Sequence, residues 1–234
     1  MAGGSRRAAF FDVDETVITV KSMFDFLRHW TEYTGGGPQA YQEAAGRLHA
    51  IAAAGRHRSE VNRAYYRGFA GVPYEELLEQ GRQWYAVYRR RPDAFVGATL
   101  DAIAAHRLTG DPVVFVSGSF RACLEPLAGE LGADLVLGSE PLVGSDGRLT
   151  GEVVRPMIGS NKALAVQETV ARLGLTAAHC YCYGDHASDL DMLQQVGRPH
   201  VVGQDPVLLA QAAEHGWPLL SAEPGPLPEL AGRG

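Results

Sequence analysis

Residues 8–16 read AAFFDVDET, an apolar run that ends in two aspartates, Asp12 and Asp14, and a threonine, Thr16. Ala8, Ala9, Phe10, Phe11 and Val13 make a run too short for a good helix, and a continuous apolar run of this length fits a strand buried on both faces of a parallel sheet. Side chains alternate along a strand, so Asp12 and Asp14 are expected to project to the same side at its carboxyl end, where open α/β sheets bind ligands. Two carboxylates held together repel. A divalent cation between them, or a split in which one is ionised and the other carries a proton, would resolve the conflict.

Three later stretches bear on this reading. Residues 113–119, VVFVSGS, form a second apolar strand pattern that ends in Ser117, Gly118 and Ser119; Asn161 and Lys162 stand at the start of a helical pattern; residues 181–189, YCYGDHASD, form a third strand pattern closed by Asp185 and Asp189. Each has an ordinary structural explanation by itself: a strand-end turn, a solvated helix residue, a pair of helix caps. In this order and spacing they resemble the four motifs of the haloacid dehalogenase (HAD) superfamily of phosphohydrolases, over about residues 8–203. The helical insertion after the first motif and the GD-xxx-D form of the last are similar to subfamily IB, the branch that contains phosphoserine phosphatase.

Composition permits this and excludes other classes. With 234 residues, 46% of them hydrophobic, the chain can bury roughly 70–75% of its unfolded surface and needs no disulfide or metal staple. Cys123, Cys180 and Cys182 give an odd count without zinc-site spacing, and Cys180 and Cys182 read as buried core thiols. The amino-terminal MAGGSRR has neither the length nor the apolarity of a signal peptide or a membrane span, so a cytoplasmic location is expected. A net charge of −6 argues against a nucleic-acid partner. Residues 22–92 nevertheless hold ten Arg against seven Asp and Glu, and Lys21 and Lys162 are the only lysines in the chain.

Hydrophobic periodicity changes from two to about 3.6 after Thr16. Met23, Phe24, Phe26, Leu27 and Trp30 predict a helix with Ser22 as a possible N-cap, stopped at Gly35–Pro38, and further helices are expected over 39–54, 59–69 and 74–90. These four helices, carrying 12 of the 20 aromatic residues, predict an inserted cap over 22–91. The core is then discontinuous, 1–21 and 92–221. Within it the pattern predicts a helix over 93–108, a strand over 113–116, a helix over 120–131, a strand over 135–137, a hairpin around Ser145-Asp146-Gly147, a helix over 160–173 with Ser160 as N-cap, a strand over 180–183, a helix over 188–196 and a strand over 200–202. The Pro- and Gly-rich tail, 222–234, is expected to be disordered. The fold class is therefore α/β, and the resemblance makes it a Rossmann-like, doubly wound parallel sheet with an inserted helical cap of the C1 type.

The resemblance also implies roles. Asp12 would be the nucleophile that attacks phosphorus and becomes an aspartyl-phosphate, and Asp14 the acid that protonates the leaving oxygen and the base that activates water. Ser117 and Gly118 would hold phosphoryl oxygens, with Lys162 neutralising charge. Mg²⁺ would be held by Asp12, the backbone carbonyl of Asp14 and Asp185, with Asp189 in the next layer or acting through a water. The implied activity is Mg²⁺-dependent hydrolysis of a small phosphorylated metabolite, with no nucleic-acid or membrane partner.

Departures from the phosphoserine phosphatase pattern concern the substrate. Glu15 stands where that pattern has serine, Lys21 where it has the glutamate that reads the substrate amine, and His186 and Ser188 where it has glycine and asparagine. Lys21 is accordingly a candidate substrate-binding residue that would repel an amine and favour an anionic or hydroxyl-rich group. Phosphoserine hydrolysis proper remains an alternative, as does a phosphotransferase or mutase using the same aspartyl-phosphate. Asp14 disfavours a dehalogenase, and residues 115–119, FVSGS, do not fit the GxSxG of serine hydrolases.

Overall fold

The computed structural model describes residues 6–225 and Leu227. The first strand, β1 (Ala9–Phe11), is wholly buried and leads through the Asp12–Thr16 turn into four successive helices, α1 (Ser22–Tyr33), α2 (Gly37–Ala53), α3 (Arg58–Arg67) and α4 (Tyr74–Tyr88). The chain then alternates: β2 (Phe95–Val96), α5 (Gly97–Leu108), β3 (Val113–Phe120), α6 (Arg121–Leu131) and β4 (Leu135–Ser139). A hairpin of β5 (Pro141–Val143) and β6 (Leu149–Val153) precedes α7 (Ser160–Leu173) and β7 (Tyr181–Gly184). The short α8 (Leu190–Leu193), β8 (Arg198–Val202), α9 (Pro206–His215), β9 (Leu219–Leu220) and β10 (Pro224–Gly225) complete it.

Six strands form one parallel sheet in the order β4-β3-β1-β7-β8-β9. The chain winds outward from β1 in one direction and then returns to wind in the other, which puts a topological switch point at the carboxyl ends of β1 and β7. Phe10 pairs in register with Val114 and Cys182, and Phe11 with Phe115 and Tyr183. Alternation sends these neighbours to opposite faces: Ala9, Phe11 and Phe115 join the core beneath α5, α6 and the helical block, whereas Phe10, Val114 and Cys182 join the one formed with α7, α8 and α9. All three cysteines are buried free thiols.

The helical block is fastened to the sheet layer on one side. Gly81 of α4 lies so close to α6 that a Cβ there would sit 2.0 Å from the Ala122 carbonyl oxygen. Arg89 and Tyr85 both donate to Glu130 of α6. Phe120 at the end of β3 is ringed by Phe26, Tyr65, Tyr66 and Phe69.

Several local expectations are corrected. Neither Ser22 nor Ser160 is an N-cap: those places belong to Lys21 and Gly159, because each serine is already the first residue of its helix. Gly37 and Pro38, expected as part of the stop after α1, are the first two residues of α2, as the fixed φ of proline allows in a first turn. The helix expected over 93–108 begins at Gly97 because Phe95 and Val96 form β2. The one expected over 188–196 is a short 3-10 turn followed by only four α-helical residues. Helix α9, capped by Asp205, and strand β9 were missed. Pro224 and Gly225 of the supposedly disordered tail pair antiparallel with β2, since Gly97 and Gly225 lack the side chains that would block the approach. Apart from Leu227, the rest of that tail lies outside the described residues.

Candidate active site at the carboxyl edge of the sheet

Three strand ends and one helix start converge. Asp12 and Asp14 follow β1, Ser117 and Gly118 lie in the carboxyl half of β3, Asp185 and Asp189 follow β7, and Lys162 stands in the first turn of α7; all but Asp189 line a single cleft beneath the helical block. The pairs that sequence spacing placed at separate strand ends are thus brought together by parallel pairing of β3, β1 and β7.

Lys162 is buried, and its Nζ donates to Asp12 Oδ1 at 2.6 Å and Asp189 Oδ1 at 2.7 Å. Burial works against its charge, but the two carboxylates outweigh that effect and raise its pKa. Thr16 Oγ1 donates to Asp185 Oδ1 at 2.9 Å, and Thr99 Oγ1 donates to the Thr16 carbonyl at 2.7 Å. The His186 amide donates to Asp189 Oδ2 at 3.4 Å. Ser117 Oγ accepts from the Ser119 amide at 3.1 Å, and Ser22 Oγ donates to Ser119 Oγ at 2.7 Å. Glu15, between the site residues Asp14 and Thr16, has φ of 64°, the only positive φ among the described non-glycine residues. Such backbone is unfavourable for a side-chain-bearing residue and marks a turn fixed by its surroundings.

The carboxylates are out of electrostatic balance. Burial, with the Asp189 charge adding to it, pushes the Asp12 pKa up although Lys162 opposes the shift. Asp185 is pushed up to about 9 by burial and then by the charges of Asp12 and Asp189. Asp14 is pushed up to about 7, again by burial first and the Asp12 charge second, and its Oδ1 has no hydrogen-bond partner among the described residues. Carboxylate oxygens of Asp12, Asp185 and Asp189 lie within 4.8 Å of one another. One ammonium cannot neutralise this many carboxylates, whereas a hard divalent cation suits an all-oxygen donor set. The residues therefore fit a metal ion.

Sequence reasoning missed the contributions of the helical block. Arg58, the first residue of α3, donates to Ser188 Oγ at 2.9 Å and meets His186 Nδ1 at 2.9 Å. Asn62, one turn further, donates to the Gly118 carbonyl at 2.8 Å. Ser139, at the end of β4, donates to the same carbonyl at 2.7 Å and accepts from the Met157 amide at 3.0 Å. The local basic excess hinted at Arg58, but nothing in the sequence marks Asn62 or Ser139. Lys21 lines the cleft as expected, yet its ammonium lies 3.4 Å from Glu15 Oε2 and both side chains are exposed.

Residues 9–194 match the haloacid dehalogenase-like hydrolase family. The chain belongs to it. A protein of Streptomyces azureus named for inhibition of morphological differentiation is 34% identical over 223 residues, covering 92% of this chain and 78% of that protein. A probable phosphatase of Mycobacterium tuberculosis is 31% identical over 223 residues, covering 93% of this chain and 76% of the relative. A solved phosphoserine phosphatase carrying a phospho-aspartyl intermediate analogue shares the fold, with a TM-score of 0.66 and 17% identity over 94% of this chain and 95% of that one. The chain is thus a HAD-type hydrolase with phosphatase relatives. Among the described residues no helix is long and apolar enough to cross a membrane.

Proposed function

We propose that the protein is a Mg²⁺-dependent phosphatase that hydrolyses a phosphate monoester of a small metabolite through an aspartyl-phosphate on Asp12. The observation that carries this reading is the buried contact of Lys162 with Asp12 and Asp189 beside Asp185, at the switch point of the sheet. Phosphate monoesters are among the slowest of biological substrates to hydrolyse unaided, so charge stabilisation must supply much of the acceleration. A lysine and a cation facing a carboxylate nucleophile are suited to that task.

In this mechanism Lys162 and the Gly118 backbone hold the phosphoryl oxygens while an Asp12 carboxylate oxygen attacks phosphorus. Mg²⁺, held by Asp12, Asp185 and the backbone carbonyl of Asp14, would supply positive charge to the phosphoryl oxygens and the nucleophile. Lys162 and the His186 amide occupy the two oxygens of Asp189, which suits a role in orienting the site rather than direct ligation. Asp14, raised towards neutrality by burial and by Asp12, delivers its proton to the leaving oxygen. It then takes a proton from the water that attacks the aspartyl-phosphate at phosphorus, releasing phosphate and restoring Asp12.

The helical block serves as a cap whose charged rim, with Arg58 and the Lys21–Glu15 pair, surrounds the entrance. The three buried thiols suit a reducing cytoplasm. Phosphate release from a panel of monoesters, including L-phosphoserine, tests the reading. Activity should disappear with a chelator and return with Mg²⁺; undiminished turnover after metal removal would contradict it. Added alcohols test the transferase alternative, because a phosphotransferase would form new esters in place of free phosphate.

A further inference from the structure

The cleft has a volume of about 600 Å³, well beyond what a phosphoryl group requires and typical of pockets that enclose a whole small molecule. Its inner end holds the carboxylates, Ser117, Gly118 and Lys162. Its outer wall is mixed: Arg28 and Tyr41 lie on it and Arg58 at its rim, but between them Met23 and Phe24 of α1, Leu48 of α2 and Val61 of α3 form an apolar stretch, Leu48 buried and the others half-buried. The Phe24 ring stacks on His49 with centroids 5.2 Å apart. Asp25, also on the lining, is already engaged by Trp84 Nε1 at 2.9 Å and Arg91 at 3.0 Å, so it asks for no polar partner. The wall is continuous with the phosphate end, because Asn62 Nδ2 is 3.7 Å from Met23 Sδ and 2.8 Å from the Gly118 carbonyl oxygen.

We propose that this wall seats the leaving group, and that the substrate is the phosphate monoester of an alcohol with an apolar body. The inference rests on the phosphatase reading and names its substrate class. Half-buried apolar side chains facing a cleft gain by covering, whereas a small polar leaving group would leave Met23, Phe24 and Val61 partly facing water.

The test uses n-alkyl phosphates from ethyl to octyl, whose alcohols differ little in acidity, so that rate differences report on contact rather than on bond strength. Acetyl phosphate, which needs no such seat, checks the chemistry separately. The wild type is expected to show kcat/KM rising with chain length, by up to about fourfold per methylene at full burial, until the wall is covered. Val61→Thr keeps the side-chain shape but adds a hydroxyl, and should lower the hexyl-to-ethyl ratio several-fold. A flat or falling series with acetyl phosphate still hydrolysed overturns the apolar seat and leaves the phosphatase reading intact. An unchanged ratio in Val61→Thr overturns the placement. Release of phosphate from none of these compounds overturns both.

A different observation concerns Asn62. It is 4% exposed, its amide nitrogen is directed to the Gly118 carbonyl, and its Oδ1 is buried with no partner among the described residues. The orientation is fixed by the acceptor, since a flipped amide would set two oxygens against each other. A buried unpaired carbonyl oxygen costs stability, and Gly118 does not need this donor, because Ser139 Oγ already supplies one at 2.7 Å. We infer that Asn62 is a positioning residue that couples α3 to the peptide between Gly118 and Ser119. Asn62→Leu, of similar shape, removes the unpaired oxygen and leaves no backbone group orphaned. Its melting temperature should therefore stay level or rise, while kcat for acetyl phosphate falls about tenfold or more, as misplacement of reacting groups can cost up to about 10²-fold. A lowered melting temperature with kcat unchanged would make Asn62 merely structural and overturn the inference.

Discussion

At the carboxyl edge of the sheet, contacts join residues far apart in the chain: Lys162 reaches Asp12 across 150 positions, and Thr16 reaches Asp185 across 169. In the helical block, Phe26, Trp30, Tyr65 and Phe69 pack as an aromatic cluster that meets the core at Phe120. The first region holds like charges in place against their repulsion. The second is held mainly by non-directional apolar packing; among its directed contacts, Arg89 and Tyr85 fasten it to Glu130, whereas Arg58 and Asn62 reach the site. On the proposed function, reaction type is built into the strand ends, and substrate choice falls to the surface of the helical block.

The contrast is broken most severely at Lys162. Lys162→Ala leaves Asp12 and Asp189 buried without their counter-charge, and should cost about 3–5 kcal/mol of unfolding free energy in urea melts run with a chelator present. An effect below about 1 kcal/mol would mean that the edge is not under electrostatic tension. Next, Asp14→Asn should slow hydrolysis of alkyl phosphates by about 10²-fold or more and of an activated aryl phosphate far less, because only the poor leaving group needs a proton. Equal losses on both would remove the acid role.

Why the residues of the edge were legible, and of the block its four helices but not its contacts with the site, follows from these same residues. Asp12, Asp14, Ser117, Lys162 and Asp185 lie at or near the ends of apolar strands or at a helix start; periodicity marks those places, and the resemblance of their order and spacing to the HAD motifs is what joins them. Arg58 opens a polar helix and Asn62 lies one turn into it, and their side-chain direction depends on how α3 docks, which no local signal encodes. Helix α9 has a weak sequence signal because Pro206 and the alanines in PVLLAQAAEH blur its apolar stripe. The strand at Pro224–Gly225 runs against local propensity, and only the close approach to Gly97 explains it.

Smaller effects sharpen the comparison on the side of the block. Gly81→Ala places a methyl group 2.0 Å from the Ala122 carbonyl oxygen and should lower stability by about 1–3 kcal/mol as α4 is pushed from α6; an unchanged melting temperature would show that the block is loosely seated. Lys21→Ala should raise KM for the best natural substrate no more than about fivefold, since its exposed ammonium is already shared with Glu15. No change in kcat/KM would remove Lys21 from substrate recognition.

The proposed mechanism turns on Asp12 as the nucleophile that accepts the phosphoryl group. Rapid acid quench of the enzyme during turnover of a hydrolysed monoester, followed by peptide mass spectrometry, reads this directly. A phosphoryl adduct on the peptide carrying Asp12, absent with Asp12→Asn, whose turnover falls by at least about 10³-fold, is the predicted result. An adduct on another residue, or full phosphatase activity in Asp12→Asn, would contradict the account.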